Sequence, residues 1–290
     1  MNNIKDYLQE LKAALAGADP ATIQDALSDA EEYLTDALLT ANAENRPEIF
    51  SQAVAQYGSP QEVATAYVEA ETRLSSPQPF VQKKKKRSLL GHFFGIYTDT
   101  RAWSALLFML ISVVTGTVYF SWAVAGLSLS ISFLIFIFGL FFLLFFLYSL
   151  RGIGLLEGRI VEALLGVRMP HRPLFKPRGL KWTEQLKLLL KDKNVWLTLG
   201  YTLLQLPLSL IYLTLIAAFL GVSLGAFSIP FFQNVLHLPV IYINTPLFLP
   251  DWSLPLVVIG GILLFTIMLH MIKGIGILHG KWAKLMLVSD

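Results

Sequence analysis

From Ala102 to Leu150 the chain runs for 49 residues without an Asp, Glu, Lys or Arg. One membrane crossing needs about 20 apolar residues, so this run is long enough for two. The turn-like "AGLSLS", Ala125–Ser130, is expected to divide it into a pair of spans. Two more uncharged stretches come later, Val195–Ile229 and Leu254–Met271, the second holding only His270 as an ionisable group. Four transmembrane helices are the simplest reading, because a helix satisfies its own backbone N–H and C=O groups in hydrocarbon. His270 falls near the end of its span, where interfacial solvation favours a structural role over a functional one.

Charge then orients these spans. Positions 1–80 hold 13 Asp/Glu and four Lys/Arg, whereas positions 81–290 hold seven and 19. An acidic head therefore precedes a basic body. Lys83, Lys84, Lys85, Lys86 and Arg87 stand shortly before the first span, the connector Arg151–Lys193 is dense in Lys and Arg, and Lys273, Lys281 and Lys284 come after the fourth. The two opposite loops carry only Asp251. The positive-inside rule predicts that both termini and the connector are cytoplasmic. The Lys83–Arg87 belt reads as a topology determinant and a contact for acidic lipid headgroups, each basic residue contributing about 1 kcal/mol. The opposite charges of head and body also raise the expectation that the head folds back onto this belt, its release reporting a signal. There is no cysteine, which excludes disulfides, thiolate metal sites and cysteine nucleophiles. The first 80 residues lack the short apolar core of a signal peptide.

The chain also repeats itself. "RGIGLLEGRIVEALLG", Arg151–Gly166, and "KGIGILHGKWAKLMLV", Lys273–Val288, align at an offset of 122. "DTRAW", Asp99–Trp103, and "DKNVW", Asp192–Trp196, align at an offset of 93, as do Tyr119 and Tyr212. Each unit reads Asp-x-x-x-Trp, span, turn or loop, span, Arg/Lys-Gly-Ile-Gly. Two spans per unit put both copies in the same orientation, which implies a pseudo-two-fold axis along the membrane normal. Repeat one covers about 99–167 and repeat two about 192–289. The glycines Gly152, Gly154 and Gly158, and their counterparts Gly274, Gly276 and Gly280, are expected to let a partner backbone approach closely. A phosphate cradle of the glycine-rich kind is disfavoured, since neither stretch sits between a strand and a helix. The copies differ where Glu157 faces His279 and Glu162 faces Lys284 in the alignment, so Glu157–His279 or Glu162–Lys284 pairs across the axis are candidates, beside the alternative of independent solvated charges.

The head reads as four helices. Ile4, Tyr7, Leu8, Leu11 and Leu15 form a stripe that stops at Gly17; Asp19 and Pro20 open a second helix bearing Ile23, Leu27, Leu34 and Leu38. A third runs from about Pro47 to Tyr57, with Gly58 as its stop, and Ser59 and Glu62 form a capping box for a fourth ending near Ser75. The expected organisation is an all-α protein: a helical domain at 1–76, a Ser/Pro- and Lys-rich linker at 77–90, and a four-span membrane domain at 91–290.

The stretches "YLQELKAALAG", "DAEEYLTDAL" and "YGSPQEVATAYVEA" resemble the bacterial HAAS signalling domain over positions 1 to about 73. The body, with its Trp-initiated spans, "LPLSLIYLTLIAAFLGVSLG" and Gly-rich exits, resembles a bacterial membrane sensor domain over about 90–288. That resemblance implies signalling through a separate cytoplasmic protein from the bacterial inner membrane, with a PadR-like transcription regulator as the associated kind of partner, and supplies no catalytic residues. No catalytic triad or metal spacing stands out among the residues, so a non-enzymatic sensor or adaptor without cofactor or direct nucleic-acid contact is expected. The alternative is an accessory or structural subunit of a membrane complex, or a lipid-binding transporter-like protein; an oligomer is left open. The apolar outer loop Ile229–Trp252, with "VIYI" as a short strand, is a place where a ligand could be met.

Overall fold

The computed structural model of the chain describes residues 3–39, 45–75, 91, 93–133, 136–172, 181–243 and 245–288. Its contacts group into two compact units, one of 1–83, 122–202 and 280–290, the other of 84–121 and 203–279.

In the first unit the head forms α1 (Ile4–Ala14), α2 (Pro20–Leu38), α3 (Arg46–Tyr57) and α4 (Pro60–Ser75). The caps act as their residue types require. Asp19 Oδ1 accepts the Ala21 N–H at 2.9 Å, with Pro20 already fixed in helical φ behind it. Ser59 and Glu62 form the capping box, Glu62 Oε2 accepting the Ser59 N–H at 2.8 Å and Ser59 Oγ the Glu62 N–H at 3.3 Å. Tyr7, Leu11, Leu15, Ala26, Ala30, Leu34, Phe50 and Ala53 form the core. Each large apolar side chain buried here contributes about 1.5–3 kcal/mol. The Tyr7 hydroxyl, inside that core, donates to the Gly58 carbonyl at 2.8 Å. Gly58 turns the chain at φ +113°, which a side chain would resist.

Beyond the head lie four helices long and apolar enough to cross a membrane: α5 (Thr100–Phe133), α6 (Ile137–Leu165), α8 (Lys193–Asn234) and α9 (Leu254–Leu287). The short amphipathic α7 (Trp182–Lys191) precedes α8. The protein is thus all-α, with an N-terminal helical region ahead of four apolar helices.

Two expectations about boundaries need correcting. The "AGLSLS" stretch is no turn, since α5 runs unbroken to Phe133. Gly and Ser weaken a helix in water, but here Ser132 Oγ donates back to the Ser128 carbonyl at 2.8 Å, and the helix keeps its own backbone bonds. Gly126 is instead a packing site: a Cβ there would lie 2.1 Å from the Phe146 ring of α6. The outer loop starts later than Ile229, because α8 continues to Asn234 through Pro207 and Pro230. Gln233 then clasps the returning chain, donating to the Leu249 carbonyl at 2.7 Å and accepting its N–H at 2.9 Å. Ile241–Ile243 pairs antiparallel with Thr245–Leu247, so the strand read from "VIYI" is present.

In the second unit α5 and α8 cross where a Cβ on Gly116 would come within 3.0 Å of Ser209 Oγ and 3.1 Å of the Gln205 carbonyl oxygen. Gly116 and Ser209 are themselves related by the offset of 93. Small residues at such a crossing let two backbones approach.

Candidate functional site at the connector

Helix α6 ends at Gly166, whose φ of +68° and N–H to the Glu162 carbonyl (3.0 Å) close it in the left-handed conformation. The chain that leaves is seated by the repeated glycines. Gly158 receives Met169, whose Cβ would lie 3.5 Å from a glycine Cβ, and Gly280 receives Val167, whose Cγ2 would lie at 2.6 Å. Met169 is fully buried. Residues 167–169 are pinned in this way, and the backbone N–H groups of His171 and Arg172, just beyond, point at the head.

There they meet Asp25 of α2. Its Oδ1 accepts the His171 N–H at 2.7 Å and the Arg172 N–H at 2.9 Å, and its Oδ2 accepts the Arg168 guanidinium at 3.2 Å. Around this centre Arg172 Nε pairs with Asp29 at 2.9 Å, and Lys284, from the end of α9, pairs with Asp19. Glu162 holds the cationic side from behind, accepting Arg168 at 3.2 Å and lying 2.7 Å from His171 Nε2. The Asp25 side chain is only 7% exposed. Burial pushes its carboxyl above the usual aspartate range, and the hydrogen bonds from Arg172 and His171 and the charge of Arg168 only partly offset that.

The Asp-x-x-x-Trp corners make matching contacts. Trp103 Nε1 donates to the Tyr97 carbonyl at 3.0 Å, and Trp196 Nε1 donates to the Leu190 carbonyl at 2.8 Å, in each case six residues back. Asp99 Oδ1 caps α5 through the Arg101 N–H, and Asp192 Oδ1 caps α8 through the Asn194 N–H, both at 3.0 Å. The other carboxylate oxygen goes to the basic residue that opens a Gly-Ile-Gly stretch: Asp99 to Lys273 and Asp192 to Arg151, each at 2.6 Å. The Lys273 hydrogen bond, more than any other influence, holds the Asp99 carboxyl below its ordinary range.

Of the positions where the aligned stretches differ, Glu157 and His279 are buried and Glu162 and Lys284 are partly exposed. Glu157 is fully buried and accepts the Tyr201 hydroxyl at 2.9 Å, with Trp282 stacked on that tyrosine. His279 is 3% exposed, its Nδ1 lying 2.9 Å from the Tyr212 hydroxyl and its ring 4.8 Å from Phe108. Tyr119, the counterpart of Tyr212, is buried in α5. The expected Glu162–Lys284 pair is replaced: the basic residues of the connector, Arg168 and His171, take Glu162, and the acidic head takes Lys284 through Asp19.

The glycines divide by role. Gly154 lies against Thr198 and Leu287, and Gly158 and Gly280 hold the connector. Gly276 is buried. At Gly152 and Gly274 a Cβ would meet nothing within 4 Å, so close packing does not extend to them. His270 is structural in its contacts, stacking on Phe93 and bonding its carbonyl at 3.0 Å. Lys83, Lys84, Lys85, Lys86 and Arg87 lie outside the described residues. Sequence reasoning missed Asp25, Arg168, His171 and Arg172 as a group. The signal available was "VRMPHRP", a Pro-flanked basic dipeptide just past a helix-stopping glycine.

Comparison with known families places these features. The family described as "Putative sensor" matches residues 108–287, and the HAAS family matches residues 6–66. The chain belongs to the Sensor family. This Sensor-family chain carries its HAAS region at the end that docks on the connector, and HAAS domains take part in protein–protein interaction. Both families are signalling or adaptor domains. No curated protein and no solved structure matches the chain.

Proposed function

We propose that this chain is a non-enzymatic sensor and adaptor of the bacterial inner membrane. Its four-helix body detects a membrane-borne or envelope cue, and its cytoplasmic head passes the signal to a separate protein, for which a PadR-like transcription regulator is the candidate by resemblance. The observation that carries this reading is the dock itself. Asp25, in a domain of the protein-binding type, is held by three donors from a segment seated directly on the apolar helices. A shift of α6 or α9 moves Met169 or Val167, and with them the N–H groups that hold the head. The two Asp-x-x-x-Trp corners, each tied to a Gly-Ile-Gly stretch, support a body built from two exchanged copies.

A membrane-borne cue is favoured by a cavity of about 240 Å³ in the second unit, lined by Tyr97, Leu224, Phe227, Gly261, Ile262 and Phe265. The polar groups beside it are already engaged, Tyr97 with Thr266 at 2.9 Å and Ser223 with the Gly261 carbonyl at 2.7 Å, which leaves apolar walls suited to an acyl chain. The test is capture of a cytoplasmic partner by the full chain. Asp25→Arg, which frees the head, should change capture severalfold, and deleting 1–76 should abolish it. Unchanged capture in both would leave the accessory-subunit reading.

A further inference from the structure

The donors that hold Asp25 form a more general site than a single carboxylate needs. Two successive backbone N–H groups and a guanidinium converge on its two oxygens, from His171, Arg172 and Arg168. Consecutive backbone donors backed by arginine are what proteins use to hold phosphate. The arrangement also exceeds one carboxylate: Arg172 reaches on to Asp29 at 2.9 Å and to Glu32 at 3.9 Å, so the head spends three acidic side chains on this one segment. A tetrahedral group with three oxygens and nearly two charges could collect the same donors alone. Reach is available, since the His171 and Arg172 side chains are 39% and 54% exposed.

We infer that residues 168–172 form a phosphate-binding cradle in which Asp25 is the resident stand-in, so that a phosphate group and the head compete for the same donors. The inference rests on the proposed docking and release of the head, and names the ligand chemistry that would drive it. Arg168, His171 and Arg172 contact phosphate; Met169 and Val167, locked against Gly158 and Gly280, position them.

The competition predicts a result that mere charge screening does not. Emptying the cradle with Asp25→Ala removes the competitor, so inorganic phosphate should bind the full-length variant in detergent at least about tenfold more tightly than the wild type, if the head is docked more than about nine-tenths of the time. Arg168→Ala in the same background should abolish that gain. In the wild type, spin labels on the exposed Thr65 and Ala163 should move apart on adding phosphate but not on adding chloride at equal ionic strength. Nanodiscs of phosphatidylcholine with and without phosphatidic acid, free of inorganic phosphate, separate the sources: release with phosphatidic acid assigns a lipid headgroup, and release by free phosphate alone assigns a soluble anion. Equal phosphate affinity for wild type and Asp25→Ala, or equal release by chloride, would overturn the inference. If phosphate competes but Asp25→Arg leaves partner capture unchanged, the cradle stands and the signalling reading fails.

Discussion

The two Gly-Ile-Gly exits begin alike and then diverge. Both open with a basic residue tied at 2.6 Å to an aspartate that caps an apolar helix, Arg151 to Asp192 and Lys273 to Asp99. Both stay helical to equivalent positions, Leu165 and Leu287, and the first then closes at the left-handed Gly166 and continues into the segment that carries Arg168, His171 and Arg172. The first thus offers backbone donors to the head, and the second offers one side chain, Lys284. Where the two stretches match they make the same structural contact, and the docking segment follows the first of them. The divergence extends inward to Glu157 with Tyr201 and His279 with Tyr212, so the two bundles of contacts are not interchangeable even at buried positions.

Substitutions can break this comparison in graded steps. The largest effect should come from Asp25→Arg, which places a cation against Arg168, His171 and Arg172 and costs about 3–5 kcal/mol of docking, read as a lengthened distance between labels on head and connector. Next is Gly280→Ala. Its methyl would meet Val167 Cγ2 at 2.6 Å, and a β-branched side chain yields poorly, so about 1–3 kcal/mol should be lost in detergent melts. Gly274→Ala, six residues earlier on the open face of the same helix, should by contrast be neutral or stabilising by up to about 1 kcal/mol. A loss at both positions alike would remove the distinction between seat and open face. The two indole contacts should respond equally: Trp103→Phe and Trp196→Phe each forfeit one hydrogen bond to a carbonyl, about 0.5–1.5 kcal/mol.

The smallest effect is in pH. The docked Asp25 carboxyl has a raised pKa, so the docked state holds its proton more tightly than the released state does. The docking penalty is therefore full above the raised value and is relieved as pH falls through it, and head release should diminish as the pH is lowered. His171, Arg168, Arg172 and Glu162 surround the group, so the titration is best read as the difference between wild type and Asp25→Asn. The capping box works oppositely: the Ser59 hydrogen bonds hold Glu62 below its usual range, and the contribution it makes near neutral pH disappears as pH falls through that lowered value.

Much of the architecture was legible in the residues because it depends on local chemistry. Stripes such as Tyr7–Leu11–Leu15, caps such as Asp19-Pro20 and Ser59-x-x-Glu62, and runs without charge act over one helix at a time. The exceptions were at Ala125–Ser130 and Ile229–Asn234, where residues that read as loop in water remain helical because an apolar helix has nowhere else to satisfy its backbone.

The sequence alone determined the class: four apolar helices, a polar helical head, a doubled signature, and the sign of charge on each part. Only the tertiary structure decided that Asp25 docks 146 residues away on His171, and that Gly158 and Gly280 seat the segment that receives it. The reason is physical. Two of the three donors are backbone N–H groups, which every residue but proline carries, so no side-chain pattern marks them until the chain is folded and pinned.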